Sequence, residues 1–273
     1  MPRQFPRSFD GRVVVITGGA GGIGRAFAQR FGQAGARVVL LDLHQAALDE
    51  ATAALTEQNI EALGLVCNVT DAEACAQVTE EITARLGGID VLMANAGMVH
   101  RSGFGETSLE VFRKVMDVNF YGSLYCTKAA LPALTAAKGM VVVTSSIAGI
   151  APLYGRSGYA ASKHALHGLF ESARAELAAT GVALLMVCPS FTESGFEKAA
   201  LGADGKRLDR PRSKVGALGS ADALAEIVYQ AARRNRQRLI LSPVGKISAL
   251  LSRLTPSIYE RLMVRKLAGE LTE

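Results

Sequence analysis

The run Arg12-Val13-Val14-Val15-Ile16 leads into Thr17-Gly18-Gly19-Ala20-Gly21-Gly22-Ile23-Gly24, and Arg25-Ala26-Phe27-Ala28-Gln29-Arg30-Phe31 follows at once. The β-branched run predicts a buried strand and the last segment a helix, so the glycines carry a tight strand-to-helix turn. Such a turn aims the unbonded N–H groups of the helix start at one point, where an anionic pyrophosphate can sit. Glycine suits it because a Cβ would hold a phosphate off the backbone and because some turn positions need positive φ. Two glycine registers overlap here, Gly19-x-Gly21-x-x-Gly24 and Thr17-Gly18-x-x-x-Gly22-x-Gly24. Either alone marks only a turn. Context strengthens the pair: Val38-Val39-Leu40-Leu41 predicts the next strand and closes on Asp42, near the spacing of about 20 residues expected for a carboxylate that meets a ribose. A dinucleotide site is favoured over a structural turn on that combination.

Strand and helix patterns then alternate along the chain. A helix is expected from about His44 to Gln58, a strand over Ala62–Cys67, a helix from Thr70 (read as its cap) to Leu86, and a strand over Ile89–Ala94. A long helix from Leu109 to Ala137 carries Asn119 midway. The strand Met140–Thr144 runs into Ser145-Ser146, a helix spans Tyr159–Ala179, and strands follow at Val182–Val187 and Leu239–Leu241. This alternation predicts a single-domain, Rossmann-type, doubly wound parallel sheet with helices on both faces, spanning residues 1–273. Ligands of such sheets bind beyond the carboxyl ends of the strands. The turn glycines, Asp42, Asn68, Asn95, Ser146 and Pro189 all fall at such ends. That convergence argues for one site more strongly than any single motif.

Composition excludes several classes. A net charge of +5 over 273 residues is mild, and the basic residues are scattered, so nucleic-acid binding is not indicated. Cys67, Cys75, Cys126 and Cys188 form no CxxC pair. No metal site is expected, and Cys67 and Cys188 read as buried thiols of a reducing compartment. The first residues lack a signal-peptide core and no apolar run approaches a membrane span, so a cytoplasmic location is expected. Residues 190–219 break the alternation and read as a substrate lid loop, its bases Lys206, Arg207, Arg210, Arg212 and Lys214 solvated or facing an anionic substrate tail. Arg233 to Arg238 reads as a solvated turn. Residues 244–273 form a helical extension with Ile247, Leu250, Leu251, Leu254, Ile258 and Leu262 at helical spacing. Packing on the body, on a second subunit or over the site is favoured. A membrane surface is the alternative that Arg253, Arg261, Arg265 and Lys266 would suit.

Tyr159-Ala160-Ala161-Ser162-Lys163 sets a phenol and an ammonium on one helix face. Alcohol oxidation by hydride transfer needs a base for the hydroxyl proton, and ketone reduction needs the same group as an acid. A phenol of pKa about 10 is too weak a base near neutrality unless a cation favours its anion. Lys163 supplies that cation and is within reach of a nicotinamide ribose. Ser146, at a strand end, is placed to hold the substrate oxygen.

With these residues in place the chain resembles the short-chain dehydrogenase/reductase family over about Gly11 to Leu241. The resemblance implies that Thr17-Gly18-x-x-x-Gly22-x-Gly24 is the cofactor turn, with Gly18, Gly22, Ile23 and Gly24 on the nucleotide. Asn95-Ala96-Gly97 matches the segment that supports the sheet and lines the cofactor site. Asn119, Ser146, Tyr159 and Lys163 match the catalytic tetrad, the asparagine helping to hold a water linked to the lysine. Asn68 and Val69 stand where the family meets adenine, and Pro189 to Thr192 where it meets the nicotinamide amide. The chain departs from the pattern at Ala94, Asn68, Ser190 and Ser194, none of which touches the tetrad.

Asp42 would bind both ribose hydroxyls and repel a 2′-phosphate, and no base occupies Gly19 to Ile23, so NAD is expected over NADP; Arg25 at the helix start is the complication. The activity expected is hydride transfer between NAD(H) and a secondary alcohol or ketone. A lipophilic substrate follows from the candidate walls Val99, His100, Ile147, Pro152, Leu153, Tyr154, Phe191 and Phe196, with His100 read as a solvent-facing loop residue. The alternatives are an NADP-dependent ketoreductase of the same fold and a non-catalytic NAD-binding sensor, the latter disfavoured by the retained Tyr159 and Lys163. The resemblance implies a homodimer or homotetramer.

Overall fold

The computed structural model describes residues 7–193, 195–208 and 219–271. Its frame follows from buried β-branched runs. β1 (Val13–Thr17) is buried along its whole length, as is β5 (Met140–Thr144). Strands hidden on both faces need a helical layer on each side, which only crossover connections provide. The remaining strands are β2 (Arg37–Asp42), β3 (Ala62–Val66), β4 (Val91–Ala94), β6 (Ala183–Cys188), the two-residue β7 (Thr192–Glu193) and β8 (Gly219–Ser220), and β9 (Arg238–Ile240). Seven strands form one parallel sheet in the order β3-β2-β1-β4-β5-β6-β9, and β7 pairs with β8. The order reverses between β1 and β4, where a ligand crevice opens.

Alternate residues of each strand feed two cores. Val14 and Ile16 face α1 (Gly22–Gly32), α2 (Gln45–Thr56) and α7 (Ala221–Arg233) through Phe27, Phe31, Leu48 and Val228. Val13 and Val15 face α3 (Ala72–Leu86), α5 (Gly122–Ala136) and α6 (Ser157–Leu177) through Ile82, Leu134, Leu166 and Phe170. Each such fully buried aliphatic or aromatic side chain contributes about 1.5–3 kcal/mol. This is the single-domain Rossmann-type arrangement read from the alternation.

Three details differ from the sequence reading. Asp71, not Thr70, caps α3, its side chain accepting from Glu73 N and Ala74 N; Thr70 instead turns back on Asn68 Oδ1. The helix expected from Leu109 to Ala137 is α4 (Leu109–Met116), a π turn over Asp117–Tyr121, and α5. The wider turn carries Asn119 inward, where three hydrogen bonds hold it. α7 went unread, although Ser220 caps it and Leu224, Ala225, Val228 and Tyr229 recur at helical spacing. The tail forms α8 (Pro243–Leu254) and α9 (Pro256–Leu267), parted at Thr255-Pro256 in keeping with its helical spacing. Of the expected lid, residue 194 and residues 209–218, with Arg210, Arg212 and Lys214, lie outside the described residues. Phe196–Ala199 forms a 3-10 turn.

Candidate active site

At the end of β1 the chain turns sharply through glycine. Gly18 has φ +63°, a region other side chains enter only with strain. A Cβ on Gly24 would lie 2.2 Å from Gly18 O, so strand and helix meet with no room for a side chain. Gly21 caps α1 without a side-chain hydrogen bond, which leaves the first N–H groups directed into the crevice for an anion. Gly22 is exposed and Ile23 half-buried there.

Asp42 follows at the end of β2, its two carboxylate oxygens accepting from Ala20 N at 3.1 Å and Leu43 N at 2.8 Å. It thus fastens the glycine turn to the sheet and keeps a fixed negative charge beside it. Arg25 is committed elsewhere: Nε donates to Ala20 O at 2.8 Å and the guanidinium pairs with Glu50 at 2.7 Å. Asn68 is exposed after β3, while Val69 is buried. Asn95 spans the crevice floor. Its amide donates to Thr17 O at 3.0 Å, its backbone N and that of Ala96 donate to Thr17 Oγ1, and Thr144 Oγ1 donates to its Oδ1. The ends of β1, β4 and β5 are thereby tied together. Backbone N–H groups without a side chain in front of them, a carboxylate at the end of the next strand and a locked floor fit a nicotinamide dinucleotide.

The other half of the site stands on α6. Tyr159 and Lys163 share its buried face, at 8% and 3% exposure. Lys163 Nζ lies 5.8 Å from the Tyr159 ring centroid and donates to Thr144 O at 2.8 Å. Burial pulls the ammonium pKa down from its ordinary 10.5 to about 8. Ser146 follows β5, half-buried, its Oγ accepting from Ala148 N at 3.1 Å at the head of a 3-10 turn (Ile147–Gly149). Ser145 Oγ donates to Lys163 O at 3.4 Å, so that turn is anchored to α6 beside the lysine.

Asn119 is wholly buried on the π turn. Its amide donates to Met98 O at 3.0 Å and Ser162 Oγ at 2.8 Å, and its Oδ1 accepts from Met98 N at 2.8 Å. Ser162 passes the link to Tyr159 O at 2.8 Å. Gly97 sits between the two groups, since a Cβ there would lie 3.1 Å from Asn119 Oδ1 and 3.6 Å from Lys163 Nζ. Asn119, Tyr159 and Lys163 are thus joined through Ser162 and Gly97, and Ser146 is the neighbour of Ser145, which bonds Lys163 O. Ser162 and Thr17 are structural members that the sequence reading did not name; their signal is a hydroxyl inside a motif, which spacing alone does not separate from filler.

His100 corrects the reading. It is fully buried rather than solvent-facing. Nε2 accepts from Gly158 N at 2.9 Å, one residue before Tyr159, and Nδ1 lies 3.1 Å from Ser102 Oγ. The accepting Nε2 fixes the proton on Nδ1. Burial, with the Arg156 charge adding to it, lowers its pKa to about 4, so the ring is neutral and caps the start of α6. Val99, also sealed, lies in an apolar cluster with Tyr159 and Ala148, against which Met98, Leu153 and Phe196 pack. The Phe196 ring stands 6.3 Å from that of Tyr159. Pro189 O accepts from Ile147 N at 2.9 Å, and Thr192 lies in β7 beyond it. The tail closes the rim: Tyr259 Oη donates to Pro152 O at 2.8 Å, Tyr154 N donates to Met263 Sδ at 3.2 Å, and Arg156 pairs with Glu270 at 2.6 Å, both nearly fully buried.

Comparison with known proteins agrees with this geometry. The short chain dehydrogenase family model matches residues 12–203. Dehydrogenase/reductase SDR family member 7B of Rattus norvegicus is 32% identical over 266 residues, covering 94% of this chain and 82% of its own. Meso-2,3-butanediol dehydrogenase of Serratia marcescens is 37% identical over 188 residues, covering 69% of this chain and 74% of its own. A short chain dehydrogenase/reductase from Burkholderia phymatum, solved in complex with NAD, superposes with a TM-score of 0.82 at 24% identity, covering 92% of this chain and 96% of that one. The glycine turn, the tied strand ends and the Tyr159–Lys163 face thus belong to a chain that is a member of the short-chain dehydrogenase/reductase family, an oxidoreductase.

Proposed function

We propose that the protein transfers a hydride between NAD(H) and a lipophilic secondary alcohol or its ketone. The observation that carries this reading is the shared buried face of α6, with the Lys163 ammonium held by Thr144 O 5.8 Å from the Tyr159 ring. When bound, a nicotinamide would supply the hydride acceptor for the alcohol and the hydride donor for the ketone. Gly18, Gly22, Ile23 and Gly24 would hold its pyrophosphate, Asp42 its adenosine ribose, Asn68 and Val69 its adenine edge. Asn95, Ala96, Gly97, Pro189 and Thr192 would line the nicotinamide end.

Tyr159 Oη takes the hydroxyl proton in oxidation and donates it in reduction. Lys163 lowers the cost of the phenolate by its charge and anchors the ribose. Ser146 Oγ holds the substrate oxygen and stabilises charge that develops on it. Asn119, locked by Met98 and Ser162, organises the water through which Lys163 exchanges its proton with solvent. Phe196 and Leu153 beside the phenol supply the apolar wall that favours a lipophilic substrate. Asp42 and the commitment of Arg25 to Glu50 favour NAD over a 2′-phosphorylated cofactor. Exposed Leu109 and Tyr121 along α4 and the π turn support a homodimer or homotetramer, and four free buried cysteines support a reducing compartment.

Turnover of a panel of secondary alcohols with NAD, followed by nicotinamide absorbance, tests the assignment. Tyr159→Phe is expected to lose about 10²–10⁴-fold in kcat, as general acid–base groups do, while NAD affinity stays within a few-fold. A variant as active as wild type overturns the role, and a clear preference for small polyols overturns the lipophilic substrate.

A further inference from the structure

The tail turns one side to the body and leaves the other uncovered. Inward, Gly245 packs near Ile147, Tyr259 and Met263 bond to the loop after the Ser146 turn, and Leu267 is 3% exposed. Outward, Ile247, Leu250 and Leu254 recur along α8, and Ile258 and Leu262 lie one turn apart on α9. Their exposure runs from 48% at Ile258 to 71% at Leu254. A stripe of exposed apolar side chains on helices already fixed to a folded body marks an interaction surface.

Its charge identifies the partner. Lys246, Arg253, Arg261, Arg265 and Lys266 are all exposed, and none forms an ion pair among the described residues. Glu260 is the single acid in the two helices. A second copy packed across this stripe by a two-fold axis would bring two sets of cations together with one acid each to offset them. An anionic bilayer surface takes the same stripe without that repulsion, because cations rest at the headgroups while the apolar side chains enter the acyl boundary.

We propose that α8 and α9 form a docking surface for an anionic lipid bilayer. No helix among the described residues is long and apolar enough to span one, so the attachment is peripheral and reversible. The helices that carry the stripe are fastened by Tyr259 and Met263 to Pro152 and Tyr154, which follow the Ser146 turn. Resting on the catalytic reading above, this orientation delivers a lipophilic alcohol to Tyr159 from the membrane side.

The full-length protein is floated on a sucrose gradient with vesicles of phosphatidylcholine alone or with phosphatidylcholine carrying about a third phosphatidylglycerol. It is expected to float with the anionic vesicles, at least tenfold less with the neutral ones, and to be released as salt shortens the screening length to a few ångströms. Leu250→Ser with Leu254→Ser removes the stripe, and Arg261→Glu with Arg265→Glu reverses part of the charge. Each pair is expected to lower anionic-vesicle binding about tenfold or more, given roughly fivefold per basic residue, with unchanged thermal melting and unchanged turnover of a water-soluble alcohol. Absence of flotation with both vesicle types overturns the proposal. So does a dimer, seen by light scattering, that falls apart in the Leu250→Ser, Leu254→Ser variant while vesicles bind nothing. Inactive Tyr159→Phe protein that still floats separates failure of the catalytic reading from failure of this one.

Discussion

Lys163 carries a charge where burial opposes it, and the opposition is measurable. In the folded protein its pKa is about 8 against an ordinary 10.5, so between these values the unfolded chain binds more protons. Stability therefore rises with pH through that window, and the penalty is full below pH 8. Urea unfolding of the cofactor-free protein at pH 7 and pH 10 is expected to show wild type gaining roughly 2 kcal/mol relative to Lys163→Met. His100 acts in the same sense in an acidic window. It is neutral when folded, with a pKa of about 4 against 6.5, so its contribution is complete above pH 6.5 and is lost as acid approaches pH 4. From pH 7 to 4.5 wild type is expected to lose roughly 2 kcal/mol more than His100→Gln, which keeps an acceptor for Gly158 N. Ser146, Tyr159 and Lys163 were legible as candidates because they sit at a strand end and at a helical spacing of four, whereas Asn119 was named only through the family resemblance. His100 was not legible, because its burial depends on Gly158, 58 residues away, and no local pattern records that approach.

Elements were legible wherever one period ran unbroken. The all-apolar strands and the glycine turn needed nothing from the rest of the chain to be recognised. The glycine turn is also where substitution is least tolerated. Gly24→Ala places a methyl 2.2 Å from Gly18 O, a backbone atom that cannot rotate aside. Overpacking of this kind costs about 1–3 kcal/mol, and thermal melting together with NAD titration is expected to show lost stability and lost affinity in the same variant. The π turn was hidden for the opposite reason. One added residue in a helical turn leaves composition and spacing almost unchanged, and only the inward hydrogen bonds of Asn119 reveal it. Such single-turn bulges gather at functional positions. The cap of α3 illustrates a nearer miss: Thr70 and Asp71 are both good capping residues, and Asn68 decided between them by engaging Thr70 first.

Across the whole molecule, a parallel sheet covered by helices on both faces follows from right-handed crossovers and was read directly from the sequence alternation; the strand order and the two cores come from the structure. The placement of the tail did not follow, because amphipathic helices state that one side is covered and not by what. Its firmest tie is the buried Arg156–Glu270 pair between the start of α6 and the residues after α9. Glu270→Gln leaves the guanidinium without its counter-charge and is expected to cost about 3–5 kcal/mol, read by urea unfolding, whereas Arg156→Met with Glu270→Met is expected to recover much of the loss. The same tie has a dynamic consequence. Amide protons in the first turn of α6 and in residues 268–270, distant along the chain, are expected to open together, so that hydrogen exchange should show deuterium reaching both at a common rate.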